Sequence, residues 1–349
     1  MPGEWDMGGT GIVRSDLFLE HNPGAWHPES PDRLLYLHAF LDNHNMPGLV
    51  LIPPRPATQE EISLIHRTSH FERIAQTAQQ AQCYLDADTQ TCARSFEAAL
   101  CAAGGLIALV EKVLDGDLDN GFAMVRPPGH HAESNQAMGF CLFNNIAIAA
   151  AWALEKRGLS RILIVDWDLH HGNGTQNAFY ADPRVLYIST HLFPFYPGSG
   201  SLSEYGREMG KGFTINIPMP SRRTDKDYVA IFQKVVRPVA YEFRPELILV
   251  SAGFDTHMAD PMQGMSLTSE GFAAMTYILK KAAEDLCQAR LVLTLEGGYD
   301  YEAQTKSVAK VLEVLTGTTD AGKELALSDL PEPEIVAKVR KVHKNFWNF

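Results

Sequence analysis

Short runs of branched apolar residues recur along the chain. Most are followed by a stretch in which apolar positions return every third or fourth residue. The first pattern belongs to strands buried on both faces, the second to helices laid over them. The runs at 10–14, 49–52, 121–125, 162–165, 184–189, 213–217, 247–251 and 291–295 predict eight strands. Helices are expected from Ser30-Pro31-Asp32 onward, with Ser30 as the capping hydroxyl and Pro31 in the first turn. Others are expected at 59–66, 68–82, 96–114, 144–155, 225–243, 268–288, 301–316 and 332–346. In the last of these, Ile335, Val339, Val342 and Phe346 mark the face to be buried. Strands separated by helical crossovers predict an α/β fold: one eight-stranded parallel or mostly parallel sheet with helices on both faces. No repeat or linker interrupts the pattern, so residues 1–349 read as a single domain with a core over about 10–316 and a C-terminal helix packed on it. The intervals 83–94, 191–212 and 254–267 read as loops, and long loops on a packed scaffold usually carry function.

Composition narrows this little. Of 349 residues, 45% are hydrophobic and 21% charged, as in an ordinary globular domain. The formal net charge of −12 argues against direct nucleic-acid binding, which needs a basic face, and is compatible with cationic substrates. Cys83, Cys92, Cys101, Cys141 and Cys287 are odd in number and contain no CxxC pair, so free thiols are expected. The N-terminal Met-Pro-Gly-Glu-Trp-Asp has no basic-then-apolar leader pattern, and no apolar run approaches the ~20 residues of a membrane span. A cytoplasmic protein without membrane attachment is expected. The 191–212 loop could cover a site or join a neighbouring copy in a homo-oligomer.

The candidate chemistry gathers where strands end, which is where open α/β sheets bind ligands. Val165 runs into Asp166-Trp-Asp168-Leu-His170-His171-Gly-Asn173. Asp168 and His170 are two apart, so on an extended segment they would point the same way. Asp255, after another buried strand and Ala252-Gly253, is the best third ligand; a turn-capping role is its bland alternative. Two carboxylates and an imidazole suit a divalent cation such as Zn²⁺. His130 and His131 follow a Pro-Pro-Gly brake and could serve as general base and proton shuttle, or be an exposed pair. Asp166 and Asn173 could hold imidazoles in place, the acid raising a ring's pKa and the amide only orienting it. Tyr299, behind Gly297-Gly298, could donate to a developing oxyanion. Gly139-Phe140 and Phe195-Tyr196-Pro-Gly could form a slot for an alkyl chain. Together these parts specify metal-assisted hydrolysis of an amide at the end of a long side chain.

Five motifs carry a family resemblance: Arg126-Pro-Pro-Gly-His-His-Ala132, Gly139-Phe-Cys-Leu-Phe-Asn144, Val165 to Gln176, Ser251-Ala-Gly-Phe-Asp255 and Leu295-Glu-Gly-Gly-Tyr299. In this order they resemble the histone deacetylase superfamily, nearest its class II branch and bacterial relatives. His27-Pro-Glu-Ser-Pro-Asp-Arg33 is similar to the start of that family's first helix. The resemblance implies an arginase–deacetylase fold, Zn²⁺ on Asp168, His170 and Asp255, His131 as principal base with His130 as its electrostatic or acid partner, and Tyr299 as carbonyl polariser. It implies an acyl-lysine tunnel at Gly139, Phe140 and Tyr196, with Phe195, Gly298 and Met262 counted among the substrate-binding positions and His171 near the tunnel wall. It also implies K⁺ on carbonyls of Asp166, Asp168 and His170 in the region of Ser189 and Thr190, and a second K⁺ near Phe179, Asp182 and Val185. Asn173 stands where class I members carry Asp. Met262 stands where polyamine-specific members carry Glu. Asp86 or Asp88 is expected at the rim.

The leading expectation is a zinc-dependent deacetylase of acetyl-lysine, or another acyl-lysine, in proteins or peptides. A deacetylase of small acetylated amines such as acetylpolyamines is the alternative, and a metal-binding docking module without turnover is the remote one.

Overall fold

Unbroken branched-apolar runs give strands that need cover on both faces, and that is how the sheet is built. The computed structural model describes residues 8–349; the Met1–Asp6 segment that argued against a leader lies outside them. Its strands are β1 (Thr10–Val13), β2 (Leu49–Ile52), β3 (Gln82–Tyr84), β4 (Gln90–Cys92), β5 (Asn120–Ala123), β6 (Ile162–Asp166), β7 (Val185–Leu192), β8 (Thr214–Met219), β9 (Leu247–Ala252) and β10 (Leu291–Leu295). Eight form one sheet in the order β2-β1-β5-β10-β9-β6-β7-β8. Every pairing in it is parallel. Every residue of the five central and near-central strands β1, β5, β10, β9 and β6 is buried. Helices Ser95–Asp115 and Asn145–Arg157 pack together on the sheet, and helices Asp32–Asn43, Ser269–Cys287 and Tyr301–Thr316 form a second packed group. Because all eight strands run the same way, the segments leaving β5, β10, β9 and β6 emerge side by side at one edge.

The expected strands are all present, with shifted ends. β7 continues through Thr190 and His191 to Leu192, because it pairs with β8 in register to Met219. His191 is therefore a buried strand residue and not a strand-end residue. The expected loop 83–94 contains the β3–β4 hairpin, whose polar residues carry no apolar alternation to announce it. Asp86 and Asp88 sit in its tip. The helices expected at 59–66 and 68–82 are shorter, Gln59–Ile62 and Thr68–Thr77. Ser30 caps nothing: its hydroxyl pairs with that of Tyr301 at 2.9 Å, and the helix starts behind Pro31 with no side-chain cap.

The helix expected at 225–243 widens into a π turn at Phe232–Val236. Pro238 has no amide hydrogen for the Lys234 carbonyl and its ring crowds that position, so the ladder slips by one residue. An additional short helix, Lys323–Leu327, precedes the last one. In the last helix, Glu334–His343, the buried side chains are Val336, Val339 and His343, with Trp347 beyond it; Ile335, Val342 and Phe346 are only half-buried. Trp347 anchors this end by donating to the Gly212 carbonyl at 2.8 Å, which rotates the face from the one the sequence marks. All five cysteines are free. No described helix is long and apolar enough to cross a membrane.

Candidate active site and metal centre

The segment after β6 turns away from the strand at once. Asp166 is the last strand residue, and Asp168 to His170 form a bend instead of the extended segment expected. The bend is fixed by backbone amides. Asp168 N–H donates to Asp166 Oδ1 at 3.2 Å, and Leu169 N–H donates to Asp255 Oδ1 at 2.9 Å. Gly297 N–H, after β10, donates to Asp168 Oδ2 at 2.9 Å. Each carboxylate thus has one oxygen pinned by a neighbouring strand's exit. The other oxygens, Asp168 Oδ1 and Asp255 Oδ2, each lie 3.1 Å from His170 Nδ1. Close approach requires glycine nearby: a Cβ on Gly253 would stand 2.0 Å from Asp168 Oδ2, and one on Gly297 2.5 Å from Asp255 Oδ2.

The residues present fit a metal. The three ligand atoms lie within 4.8 Å of one another and all three residues are buried. Tetrahedral donors on Zn²⁺ stand about 3.3 Å apart for bonds of about 2.0–2.1 Å. Burial and the adjacent Asp168 carboxylate push Asp255 up to about 7. A proton can bridge only part of this donor set, whereas a dication can neutralise all of it.

The two histidines after β5 are in opposite protonation states. Burial disfavours a charged His130, but Asp166 and Asp168 overcome it and raise the ring to about 10. Its Nδ1–H donates to Asp166 Oδ2 at 3.1 Å, and Tyr187 donates its hydroxyl to the same oxygen at 3.0 Å. His131 is held well below the usual histidine range by burial and by the neighbouring His130 and His170 rings. Its Nδ1 lies 2.8 Å from Asn173 Oδ1. Asn173 is oriented in turn by donating to Glu133 Oε1 at 2.6 Å, so its oxygen must face the ring. His131 Nδ1–H therefore donates, and Nε2 keeps a lone pair.

These residues face a cavity of about 250 Å³ lined by His130, His131, Gly139, Phe140, Cys141, His170, Phe195, Tyr196, Met262 and Tyr299, with Pro128, Gly297 and, at its mouth, Asp88. The expected aromatic slot is there. Phe195 stacks on His170 with centroids 5.4 Å apart, Tyr196 meets His131 edge-on at 5.1 Å, and Phe140 meets Tyr299 edge-on at 6.1 Å. Gly139 (φ 55°) lets the loop lie against His131, where a Cβ would come within 2.4 Å of the ring. Burial and the Asp255 charge keep the Tyr299 phenol protonated, well above its ordinary pKa.

Three residues expected at the substrate lie elsewhere. His171 does not line the cavity: Nδ1 meets Ser199 Oγ at 2.8 Å and Nε2 meets Gln176 Oε1 at 3.0 Å. Gly298 is absent from the wall, and its carbonyl accepts from Arg33 Nε at 2.6 Å. Asp86 accepts from the amides of Asp88 and Thr89 at 3.1 and 2.7 Å and so shapes the hairpin tip; only Asp88 reaches the mouth. The potassium expectations gain no support from these side chains. Ser189 Oγ pairs with His191, Thr190 Oγ1 donates to the Asp166 carbonyl, and Asp182 is held by Arg184.

Several supporting residues were assigned no role from the sequence. Glu296 Oε2 accepts from the amides of Gly129 and His130 at 2.7 and 3.2 Å, and Oε1 from Ser251 at 2.9 Å, so it ties the exits of β5, β9 and β10 together. Asp260 accepts from Met262 N–H at 2.9 Å and Tyr299 N–H at 2.7 Å, which couples two walls of the cavity. Glu29, fully buried, pairs with Arg33 and Arg126. Arg33 lies over the Tyr299 ring at 5.2 Å. The 27–33 segment and Arg126 both lie in motifs quoted from the sequence, but nothing there showed that they meet.

The comparisons agree with this architecture. A model of the histone deacetylase domain matches residues 27–315. A probable deacetylase of Archaeoglobus fulgidus is 42% identical over 84% of this chain and 82% of its own. Histone deacetylase 15 of Arabidopsis thaliana is 40% identical over 96% of this chain, but the match spans only 61% of the plant protein. The match to histone deacetylase HDA1 of Candida albicans covers 41% of that protein, so the chain corresponds to one part of such relatives. The crystal structure of the HDA15 HD domain superposes with a TM-score of 0.88 at 37% identity, covering 97% of both chains. With its eight-stranded parallel sheet and arginase–deacetylase topology, this chain belongs to the histone deacetylase family.

Proposed function

We propose that the protein is a zinc-dependent amidohydrolase that removes acetyl groups from lysine side chains of proteins or peptides. The observation that carries this reading is the convergence of Asp168, His170 and Asp255 at a cavity also lined by a neutral His131 and a protonated Tyr299. Zinc held by those three residues would supply a Lewis acid that acidifies water and polarises a carbonyl. His131 accepts the proton of the attacking water at Nε2, because Asn173 holds the other nitrogen as a donor. Asn173 carries no charge, so the base is oriented without becoming strongly basic. Charged His130, held by Asp166, opposes the negative charge that builds on the reacting carbonyl. Tyr299 donates a hydrogen bond from its phenol to that oxygen, and the proton taken up by His131 passes to the leaving amine as the C–N bond breaks. The aromatic slot of Phe140, Phe195 and Tyr196 excludes water from the alkyl chain of the substrate.

Met262 gives the wall an apolar residue, which favours an acyl-lysine over an acetylated polyamine. The test is release of acetate from an acetyl-lysine peptide and from acetylspermidine, each with and without a zinc chelator. Chelator-sensitive release that is faster from the peptide is expected. Release from acetylspermidine alone refutes the substrate assignment, and release that ignores the chelator refutes the metal. Tyr299→Phe is expected to lower kcat at least about tenfold; full turnover in that variant refutes the role of the phenol.

A further inference from the structure

A second concavity opens beside the catalytic cavity. It is a groove of about 480 Å³, larger than the catalytic cavity itself at about 250 Å³, and Asp88 and Phe140 line both. Trp26, Pro28 and Tyr84 supply its apolar walls, and Gln82 and Gln90 supply amides. Trp26 is 98% exposed and Tyr84 63% exposed. Two large aromatic side chains left in water at the rim of a cavity are unusual for a surface with no partner.

The groove is braced from beneath. His27 Nδ1 accepts from Glu29 N–H at 3.1 Å, so Nε2–H donates to the Asp88 carbonyl at 2.9 Å, and the ring meets Phe140 edge-on at 4.6 Å. Thr89 Oγ1 accepts from Phe140 N–H at 3.1 Å, which ties the hairpin tip to the cavity wall. Gln82 Nε2 donates to Gln90 Oε1 and to the Pro23 carbonyl, at 3.2 and 3.3 Å. The 24–28 loop and the β3–β4 hairpin thus form one supported surface, on which Trp26 and Tyr84 stay mostly exposed.

We infer that this groove is a recognition subsite for the polypeptide flanking the acyl-lysine, and that it takes a large apolar side chain between Trp26 and Tyr84. The inference rests on the deacylase reading above and adds what selects the substrate. Phe140 and Asp88 line both concavities, so the groove adjoins the catalytic cavity and lies within reach of the chain flanking a lysine seated there. The part of an acetylated polyamine that extends beyond the cavity is a linear charged chain with no apolar side chain to set between the two rings. Aromatic walls favour aromatic or aliphatic side chains, and Gln82 Oε1 and Gln90 Nε2, which the Gln82–Gln90 bond does not use, offer an acceptor and a donor to an extended main chain.

The test compares three substrates on the metal-loaded full chain. They are an end-blocked single acetyl-lysine, an acetyl-lysine peptide flanked by Gly and Ser, and the same peptide flanked by Leu and Trp. The wild type is expected to prefer the apolar-flanked peptide by about tenfold or more in kcat/KM, with the difference in KM. Trp26→Ala and Tyr84→Ala should each remove most of that preference and leave turnover of the single acetyl-lysine within about twofold. Both side chains are exposed, so neither change empties the core. Turnover of all three substrates with no preference in the wild type, or with the preference kept in both variants, overturns the subsite and leaves the deacylase reading standing. No turnover of any of them overturns both.

Discussion

Replacing Asn173 with aspartate tests how the general base is tuned. The Asn173 oxygen lies 2.8 Å from His131 Nδ1, so the substitution places a carboxylate where an amide now stands, with little change in shape. Two unit charges about 4 Å apart at an effective dielectric of about 20 attract by about 4 kcal/mol, equivalent to about three pKa units. The surroundings take part of this back. Asn173 Nδ2 now donates to Glu133 Oε1 at 2.6 Å, and a carboxylate there would face another carboxylate. The pair would share a proton and halve the new field on His131. A rise of about one to two pH units in the His131 pKa is therefore expected. A base whose pKa rises is protonated, and inactive, up to a higher pH, so the acid limb of the kcat/KM profile should move to higher pH by that amount. The assay is a pH–rate profile of acetate release by both forms. Combining Asn173→Asp with Glu133→Gln should enlarge the displacement, because the competing carboxylate is gone. An acid limb that stays where it is in the single and the double variant would refute the assignment of His131 as the base.

Other parts of the structure give independent expectations. Asp260→Asn turns an amide group toward the Tyr299 and Asp300 N–H donors, so kcat should fall about tenfold with little change in KM; unchanged kcat removes Asp260 from the positioning of Tyr299. Glu29→Gln leaves two buried guanidinium groups without their carboxylate and should cost about 3–5 kcal/mol in denaturant unfolding. Stability within experimental error of wild type would show that cluster to be dispensable. His66 accepts from Asn144 N–H at Nε2, and burial pulls its pKa to about 3. The unfolded chain takes up this proton below about 6.5 and the folded chain does not, so stability falls as pH drops through that window, by about 1.4 kcal/mol per pH unit for this one group. His66→Gln keeps a donor and an acceptor and should flatten the fall in Tm between pH 7 and pH 5; an unaltered slope refutes the linkage.

Much of this molecule was readable because its strands are buried on both faces. A short run such as Ile162-Leu-Ile-Val165, rich in branched residues and followed by polar residues and glycines, reads as a buried strand, and a parallel sheet then delivers every strand's exit to one edge. That made Asp168, His170, Asp255 and Tyr299 visible as a group before any distance was known. The supporting residues were not visible, since their work is done on backbone amides far away in sequence. Asp260 and Glu296 are single acids in loops until the strands beside them are in place. The β3–β4 hairpin escaped for another reason. It is short and polar, and it is held by its tip and by Phe140 in place of an apolar face of its own. His171 misled by standing next to His170, although the turn after His170 sends its ring under the 195–201 loop.

The sheet order has a consequence for how the chain is made. β10 lies in the middle of the sheet, between β5 and β9, yet it is the last sheet strand in sequence. As the chain leaves the ribosome, β2, β1 and β5 can pair on one side and β9, β6, β7 and β8 on the other. The two blocks each keep an edge of unpaired backbone N–H and C=O groups until residues 291–295 arrive. Closure is a single late insertion that joins both halves and brings Gly297 and Tyr299 to the site in the same step. Chains ending before Leu291 should therefore accumulate as half-sheets that aggregate through these edges, and chaperone dependence should be concentrated in the interval between synthesis of β9 and of β10.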